Sequence, residues 1–188
     1  LGQRLFFEPK LSVTGGVACA DCHESAKAFT DGRPRSPGAT GELTDRGAMS
    51  LVNVAYSQAL GWIKPELRPL EAQMLEPLFN EHPLEMGLHG REQAVAALLQ
   101  SRSDYRAQFR AAFPGEAQPV TMPNIIKAIA CYERTLIFAD SPFDRYLYRG
   151  EHAALSPAAR RGMDLFFSAE VGCARWHSGI NLAGPWRD

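Results

Sequence analysis

The string Cys19-Ala20-Asp21-Cys22-His23 sets two thiols three positions apart with an imidazole directly behind them, and an altered copy, Cys173-Ala174-Arg175-Trp176-His177, stands near the other end. Thiols at that spacing share one helical turn, so both can add across the two vinyl groups of a single porphyrin while the adjoining imidazole reaches the iron. A chain that holds such a group must fold around a flat, rigid, apolar plate. That requirement constrains it more than any other feature.

The same Cys-x-x-Cys spacing also serves zinc knuckles and dithiol redox sites. Zinc needs two further ligands at matching spacing, whereas Cys131 stands alone, and a dithiol site expects a strand–turn–helix context that the chain lacks. A c-type haem is therefore the favoured reading at the first motif. At the second, Trp176 occupies the position of the second thiol, so only one thioether can form and a haemless Cys and His on a helix is the competing reading. Its flanks, Gly172 before and Ser178-Gly179 after, match those of a haem motif.

Among 188 residues, 45% hydrophobic content supplies ample core, and a formal net charge of -1 gives no reason to expect nucleic acid. No apolar run reaches spanning length, so no membrane span is expected. The chain opens Leu1-Gly2-Gln3 and stops at Trp186-Arg187-Asp188, soon after the second motif. We expect a fragment lacking the C-terminal part of its parent, with a removed export signal and a periplasmic location, because covalent haem attachment takes place outside the bacterial cytosol.

Helix punctuation recurs along the chain. Ser103 precedes the apolar-periodic Tyr105, Phe109 and Phe113, and Ser141-Pro142 and Ser156-Pro157 each read as an N-cap followed by proline at the first helical position. Ile125, Ile129, Tyr132 and Leu136 fall three or four apart, which predicts one long helix over 121–139 with Cys131 packed inside. Helices are also expected over 91–100 and around 70–75, and 30–47, rich in Gly, Pro, Ser and Asp, reads as a long ordered loop that covers a cofactor edge. Strand alternation is absent. The expected fold is all-α, with c-type cytochrome-like helical haem domains, long loops and no significant sheet. Residues 1–150 are expected to form a first c-type haem domain and 151–188 the start of a truncated second one, with Arg149-Gly150-Glu151-His152 as the hinge.

Other strings carry a resemblance: Leu1 to Phe7, Leu11-Ser12, Ala28-Phe29-Thr30-Asp31-Gly32, Ser50 to Ala55, Leu70-Glu71-Ala72-Gln73, Glu85-Met86-Gly87, Glu133-Arg134-Thr135-Leu136, Ser141 to Tyr146 and Arg161 to Phe167. Together they resemble the diheme cytochrome c peroxidase and MauG family over nearly the whole chain. Trp62-Ile63-Lys64-Pro65, Pro77-Leu78-Phe79, Pro83 and Arg160-Arg161-Gly162 look most like its MbnH branch, whose members oxidise a partner protein. The Trp-Asp-Gly-Arg of classical peroxidases is absent.

The resemblance implies roles. Cys19 and Cys22 would bind the first haem c, with His23 as proximal ligand. Classical members carry a displaceable distal histidine in the loop after the first motif, and no histidine lies between His23 and His82, so a five-coordinate iron open to hydrogen peroxide is expected. Glu85 would move a proton between the peroxide oxygens. Gln73 matches a second pocket residue, and Trp62 an aromatic stepping point between two haems. Cys173 and His177 would hold the second haem, whose other axial ligand is not identifiable. Asn53 matches a residue that helps hold a calcium ion, although such a site needs roughly six to eight oxygens. His82, His89 and His152 read as exposed loop histidines.

The implied activity is that of a diheme oxidoreductase that reduces peroxide at the first haem with electrons passed via the second. The electrons would come from a small redox donor protein, a cytochrome c or a cupredoxin. The alternative is a MauG- or MbnH-like enzyme that uses high-valent iron to oxidise Trp or Tyr side chains of a protein substrate. From another class, a plain electron-transfer cytochrome and an inactive remnant are the competitors.

Overall fold

Thr121 accepts a hydrogen bond from the Asn124 amide at 3.3 Å, and Pro123 sits in the first turn behind it, so the central helix of the molecule starts where cap and proline both call for a start. In the computed structural model, which describes residues 1–57, 59–61 and 68–184, that helix is Met122–Glu133. The helices in chain order are α1 (Gly2–Phe6), α2 (Cys19–Cys22), α3 (Leu70–Gln73), α4 (Leu75–Phe79), α5 (Glu92–Ser101), α6 (Ser103–Ala112), α7 (Met122–Glu133), α8 (Pro142–Arg149) and α9 (Pro157–Phe167). Short 3-10 turns punctuate the loops, and two isolated bridges, Pro37 with Leu43 and Glu81 with Leu84, are the sheet-like pairings among the described residues. The fold is all-α, as expected.

Two compact units divide the chain, Leu1–Val54 with Ala59–Leu136, and Ala55–Gln58 with Ile137–Asp188. In the first, α7 buries Ile125, Ile129 and Ala130 completely, and α1, α3 and α5 pack on it. Each fully buried isoleucine is worth about 1.5–3 kcal/mol of transfer free energy. The crossing of α1 over α7 is close because Gly2 lacks a side chain: a Cβ there would overlap the Ala128 carbonyl. Glu8, buried just past α1, accepts from the Tyr105 hydroxyl and from Arg102, each at 2.9 Å, which ties this end of the chain to α6.

Several sequence expectations are corrected in detail. The helix predicted over 121–139 ends at Glu133. Leu136 is buried as its spacing required, but in a turn where its amide donates to the Glu133 carbonyl. Cys131 is exposed, because the buried face of α7 is carried by Ile125, Ala128, Ile129 and Ala130, and residue 131 projects elsewhere on the 3.6-residue period. Ser103 is the first residue of α6, with Arg102 at the cap position and no side-chain cap bond. Ser141 and Ser156 do cap α8 and α9, accepting from the Asp144 and Ala159 amides at 3.1 Å. The stretch predicted around 70–75 forms α3 and α4 in succession.

Residues 30–47 form the expected ordered loop, held by side chains bonding backbone. Thr30 Oγ1 donates to the Ala48 carbonyl at 2.6 Å, the Ser36 amide to Thr44 Oγ1 at 2.9 Å, and the Arg33 amide to Asp31 Oδ1 at 3.0 Å. At its tip Gly38 lies flush against the Leu84 carbonyl, too close for a Cβ, and the Ala39 amide donates to the Glu85 carbonyl at 2.6 Å. The loop is thereby pinned to the segment that carries Glu85.

The second unit is built differently. None of its described residues is buried, and Phe143, Leu147, Met163 and Phe167 line an apolar groove of about 410 Å3 on α8 and α9.

Candidate haem-binding site

The first motif opens where the Asp21 carboxylate accepts from the Ala18 amide at 2.8 Å, closing the N-terminus of α2 with an acidic side chain in its first turn. Cys19 and Cys22 occupy the two ends of that one turn, and the His23 amide donates back to the Cys19 carbonyl at 2.9 Å. The His23 Nδ1 lies 2.8 Å from the Phe29 carbonyl oxygen, which assigns the Nδ1 proton and directs Nε2 away as the free ligating atom. The carbonyl is presented by a corner in which two consecutive non-glycine residues, Ala28 (φ 56°) and Phe29 (φ 58°), adopt left-handed backbone. Such residues cost about 1–3 kcal/mol each and persist where the surrounding structure demands them. The Ser50 hydroxyl, donating to the Ala28 carbonyl, holds this corner. The Phe6 ring lies beside the imidazole, centroids 6.4 Å apart.

The electrostatics suit an unionised anchor. Burial, then Glu133, pushes the Cys19 thiol up to about 12; burial, then Asp31 and Glu85, pushes Cys22 up to about 11. A dithiol exchange site needs the opposite shift, a stabilised thiolate, so the first motif does not fit that alternative. Burial also holds the His23 pKa below its ordinary value, opposed by the Phe29 and Met49 carbonyls and Asp31, which favours the neutral ring that ligates iron.

Three carboxyls crowd these groups. Glu85 is half-buried, and its segment is pinned where the Met86 amide donates to the Pro77 carbonyl and the Val13 amide to the Met86 carbonyl, at 2.9 and 2.8 Å. Burial, then Glu76, raises its pKa above the ordinary carboxylate value. Asp31 is 3% exposed, and Glu133 is buried with its pKa pushed up to about 7 by that burial. Asp31 and Glu133 were not singled out in the sequence, where both sit in strings that carried the resemblance and nothing local marks them as neighbours of the cysteines.

Gln73 is half-buried at the C-terminal end of α3, and two residues earlier Glu71 receives both guanidinium nitrogens of Arg134, at 2.7 and 2.8 Å, fastening α3 to the end of α7. Asn53 adopts a left-handed conformation (φ 55°), and its amide donates to the Leu136 carbonyl at 2.8 Å. Trp62 and the segment around it lie outside the described residues. His82, His89 and His152 are exposed.

The second motif repeats the first in its local design. The His177 amide donates to the Cys173 carbonyl at 3.0 Å, and the His177 Nδ1 lies 3.2 Å from the Leu182 carbonyl. That carbonyl again belongs to the second of two left-handed residues, Asn181 (φ 61°) and Leu182 (φ 52°). The ring of Phe166 lies 6.1 Å from the imidazole, as Phe6 lies beside His23, and each phenylalanine comes from a Leu-Phe-Phe at a helix C-terminus. Trp176 points outward, 57% exposed, where the second thiol would stand.

The sequence profile of the family described as di-haem cytochrome c peroxidase matches residues 1–153. The chain belongs to the di-haem cytochrome c peroxidase family. Among relatives of this family, it is 34% identical to the cytochrome c551 peroxidase of Pseudomonas aeruginosa, over 98% of this chain and 51% of that one. It is 33% identical to the methylamine utilization protein MauG of Methylorubrum extorquens, over 95% of this chain and 48% of that one. Among solved structures, a MauG-like protein associated with microbial copper homeostasis superposes with a TM-score of 0.91 at 39% identity, over 97% of this chain and 52% of that one. The chain thus spans about half the length of the relatives it matches. Haem c is the cofactor this family implies, and the first motif fits it: paired protonated thiols on one turn, followed by an imidazole whose Nδ1 is engaged by a carbonyl. No helix of the described residues is long and apolar enough to cross a membrane.

Proposed function

We propose that this chain carries the peroxide-reducing half of a periplasmic di-haem oxidoreductase, with Cys19 and Cys22 as the covalent anchors of the first haem and His23 as its proximal ligand. The observation that supports this reading most is the imidazole geometry, Nδ1 bonded to the Phe29 carbonyl directly behind two unionised thiols. When bound, haem c supplies the iron at which hydrogen peroxide is reduced by two electrons to water.

The protein's part is to anchor, orient and move protons. The left-handed corner at Ala28 and Phe29 fixes the plane of His23. Glu85, beside Cys22 and with its pKa raised by burial, takes a proton from one peroxide oxygen and delivers it to the other, and Gln73 completes the pocket. With no histidine between His23 and His82 to serve as a displaceable second ligand, the first haem site would leave room for hydrogen peroxide. Cys173 and His177 hold a second haem through a single thioether, a reading supported by the repeated histidine–carbonyl corner, and Trp62 relays electrons between the two. The first haem domain is then contained in residues 1–150, of which 137–150, with α8, group with the second compact unit, and 151–188 carry the start of the second. The donor is a small cytochrome c or cupredoxin, and Asn53 supplies one oxygen to a calcium ion.

The likeness to the MauG-like protein associated with copper homeostasis favours a second reading, in which the same oxidising site acts on side chains of a protein partner. Steady-state peroxide consumption with a reduced cytochrome, compared with mass change on a partner protein, separates the two. For either, Glu85→Gln in the haem-loaded protein is expected to slow the reaction with peroxide by about 10²–10⁴-fold, and an unchanged stopped-flow rate removes Glu85 from the mechanism.

A further inference from the structure

An aromatic contact chain leads from the proximal histidine to the protein surface. The Phe6 ring lies 6.4 Å from that of His23, and on its other side meets Tyr132 at 5.3 Å and 61°, an edge-to-face pair. Phe6 is completely buried. Tyr132 is half-buried, and the nearby Gln3 side chain opposes the rise in its pKa that burial causes. The contact is built into the crossing of α1 over α7: at Gly2 the backbone of α1 lies so near Ala128, and within 3.0 Å of the Tyr132 Cβ from the Cβ a larger residue would carry, that the next turn of α1 sets Phe6 onto the tyrosine ring.

We propose that Tyr132 is a one-electron donor to the first haem site, oxidised by way of Phe6 and His23 when no external donor is at hand. The inference rests on the reading that this site reduces hydrogen peroxide. Of the side chains in the contact chain, tyrosine alone is readily oxidised at one-electron cost, and it is the one whose hydroxyl reaches the surface. Peroxide reduction consumes two electrons and two protons per molecule and yields two waters. Tyr132 provides one of those electrons and releases its phenolic proton to water, which leaves a neutral tyrosyl radical; the other electron comes from the haem site itself, which stays one electron short until the redox donor protein returns it. An external one-electron reductant, with a proton from solvent, restores the phenol. Burial raises the resting phenol's pKa, so the group waits in its protonated form. The arrangement carries oxidising equivalents away from the haem pocket to a surface position where a small reductant can reach them.

The test is to mix the haem-loaded protein with hydrogen peroxide in the absence of a donor and follow it by freeze-quench electron paramagnetic resonance and by the haem optical spectrum. We expect an organic radical signal that narrows when the protein is grown on ring-deuterated tyrosine and is lost in Tyr132→Phe. In that variant the peroxide-induced optical change is expected to decay more slowly, because an internal electron source is gone. Phe6→Leu, which keeps Tyr132 and an apolar core residue, is expected to lower the radical yield. A deuterium-sensitive signal of equal yield in Tyr132→Phe, alongside a normal optical change, overturns the inference while leaving peroxide reduction intact. No optical change in the unaltered protein overturns both.

Discussion

At Glu133 a single carboxyl carries a cost that depends on pH. It is 7% exposed near the end of α7, beside Cys19, and burial pushes its pKa up to about 7 from an ordinary 4.5. A raised acid pKa means the folded state binds a proton that the unfolded state has already released, so the associated stability is full below about 4.5 and is lost as pH rises through about 7. The loss amounts to on the order of 3 kcal/mol. Glu133→Gln is therefore expected to flatten the denaturation midpoint between pH 5 and 8, read by urea titration of the haem-loaded protein at about those two pH values. The periodicity of 125–136 is silent on this residue, because a lone glutamate at the end of an apolar helix face reads as an exposed terminus. Its burial, beside Cys19 from far along the chain, comes from tertiary packing that the helix pattern does not encode.

At the level of elements, local caps were legible and helix ends were not. Ser141 and Ser156 each cap the helix they announce, since a cap is a bond between residues three apart, whereas Ser103 lies inside α6 with Arg102 at its cap position. The end of α7 is decided by contacts from far along the chain: Arg134 is taken by Glu71, and the Leu136 carbonyl by the Asn53 amide. The crossing of α1 and α7 is the joint on which the proximal side of the site depends. Gly2→Ala would drive a methyl group into the Ala128 carbonyl, and it is expected to lower stability by about 1–3 kcal/mol and shift the haem optical spectrum, because Phe6, which lies against the His23 ring, moves with α1. A thermal midpoint and spectrum equal to those of the unaltered protein would count against that crossing.

Across the whole molecule, two units share one local design for a histidine but differ in their cores. The first has a continuous buried cluster around Phe6, Leu99, Tyr105, Phe109 and Ile129; the second has none among its described residues and keeps its apolar side chains, Phe143, Leu147, Met163 and Phe167, around an open groove. The haem-loaded chain is expected to carry two haems, one with a single thioether. Cys173→Ala is then expected to leave one haem per chain resistant to acid–acetone extraction, read from the pyridine haemochrome spectrum. Unchanged covalent stoichiometry in that variant would place no thioether at Cys173.

The two motifs, the caps at Ser141 and Ser156 and the absence of strands among the described residues followed from the amino-acid order alone, because each is a relation between residues a few positions apart. The gathering of Asp31, Glu85 and Glu133 around the cysteines, the left-handed corners that engage both histidines and the Phe6–Tyr132 contact arose only in three dimensions. Each of these joins residues brought together by chain crossings, and a one-dimensional pattern of polarity carries no record of which crossing the core will select.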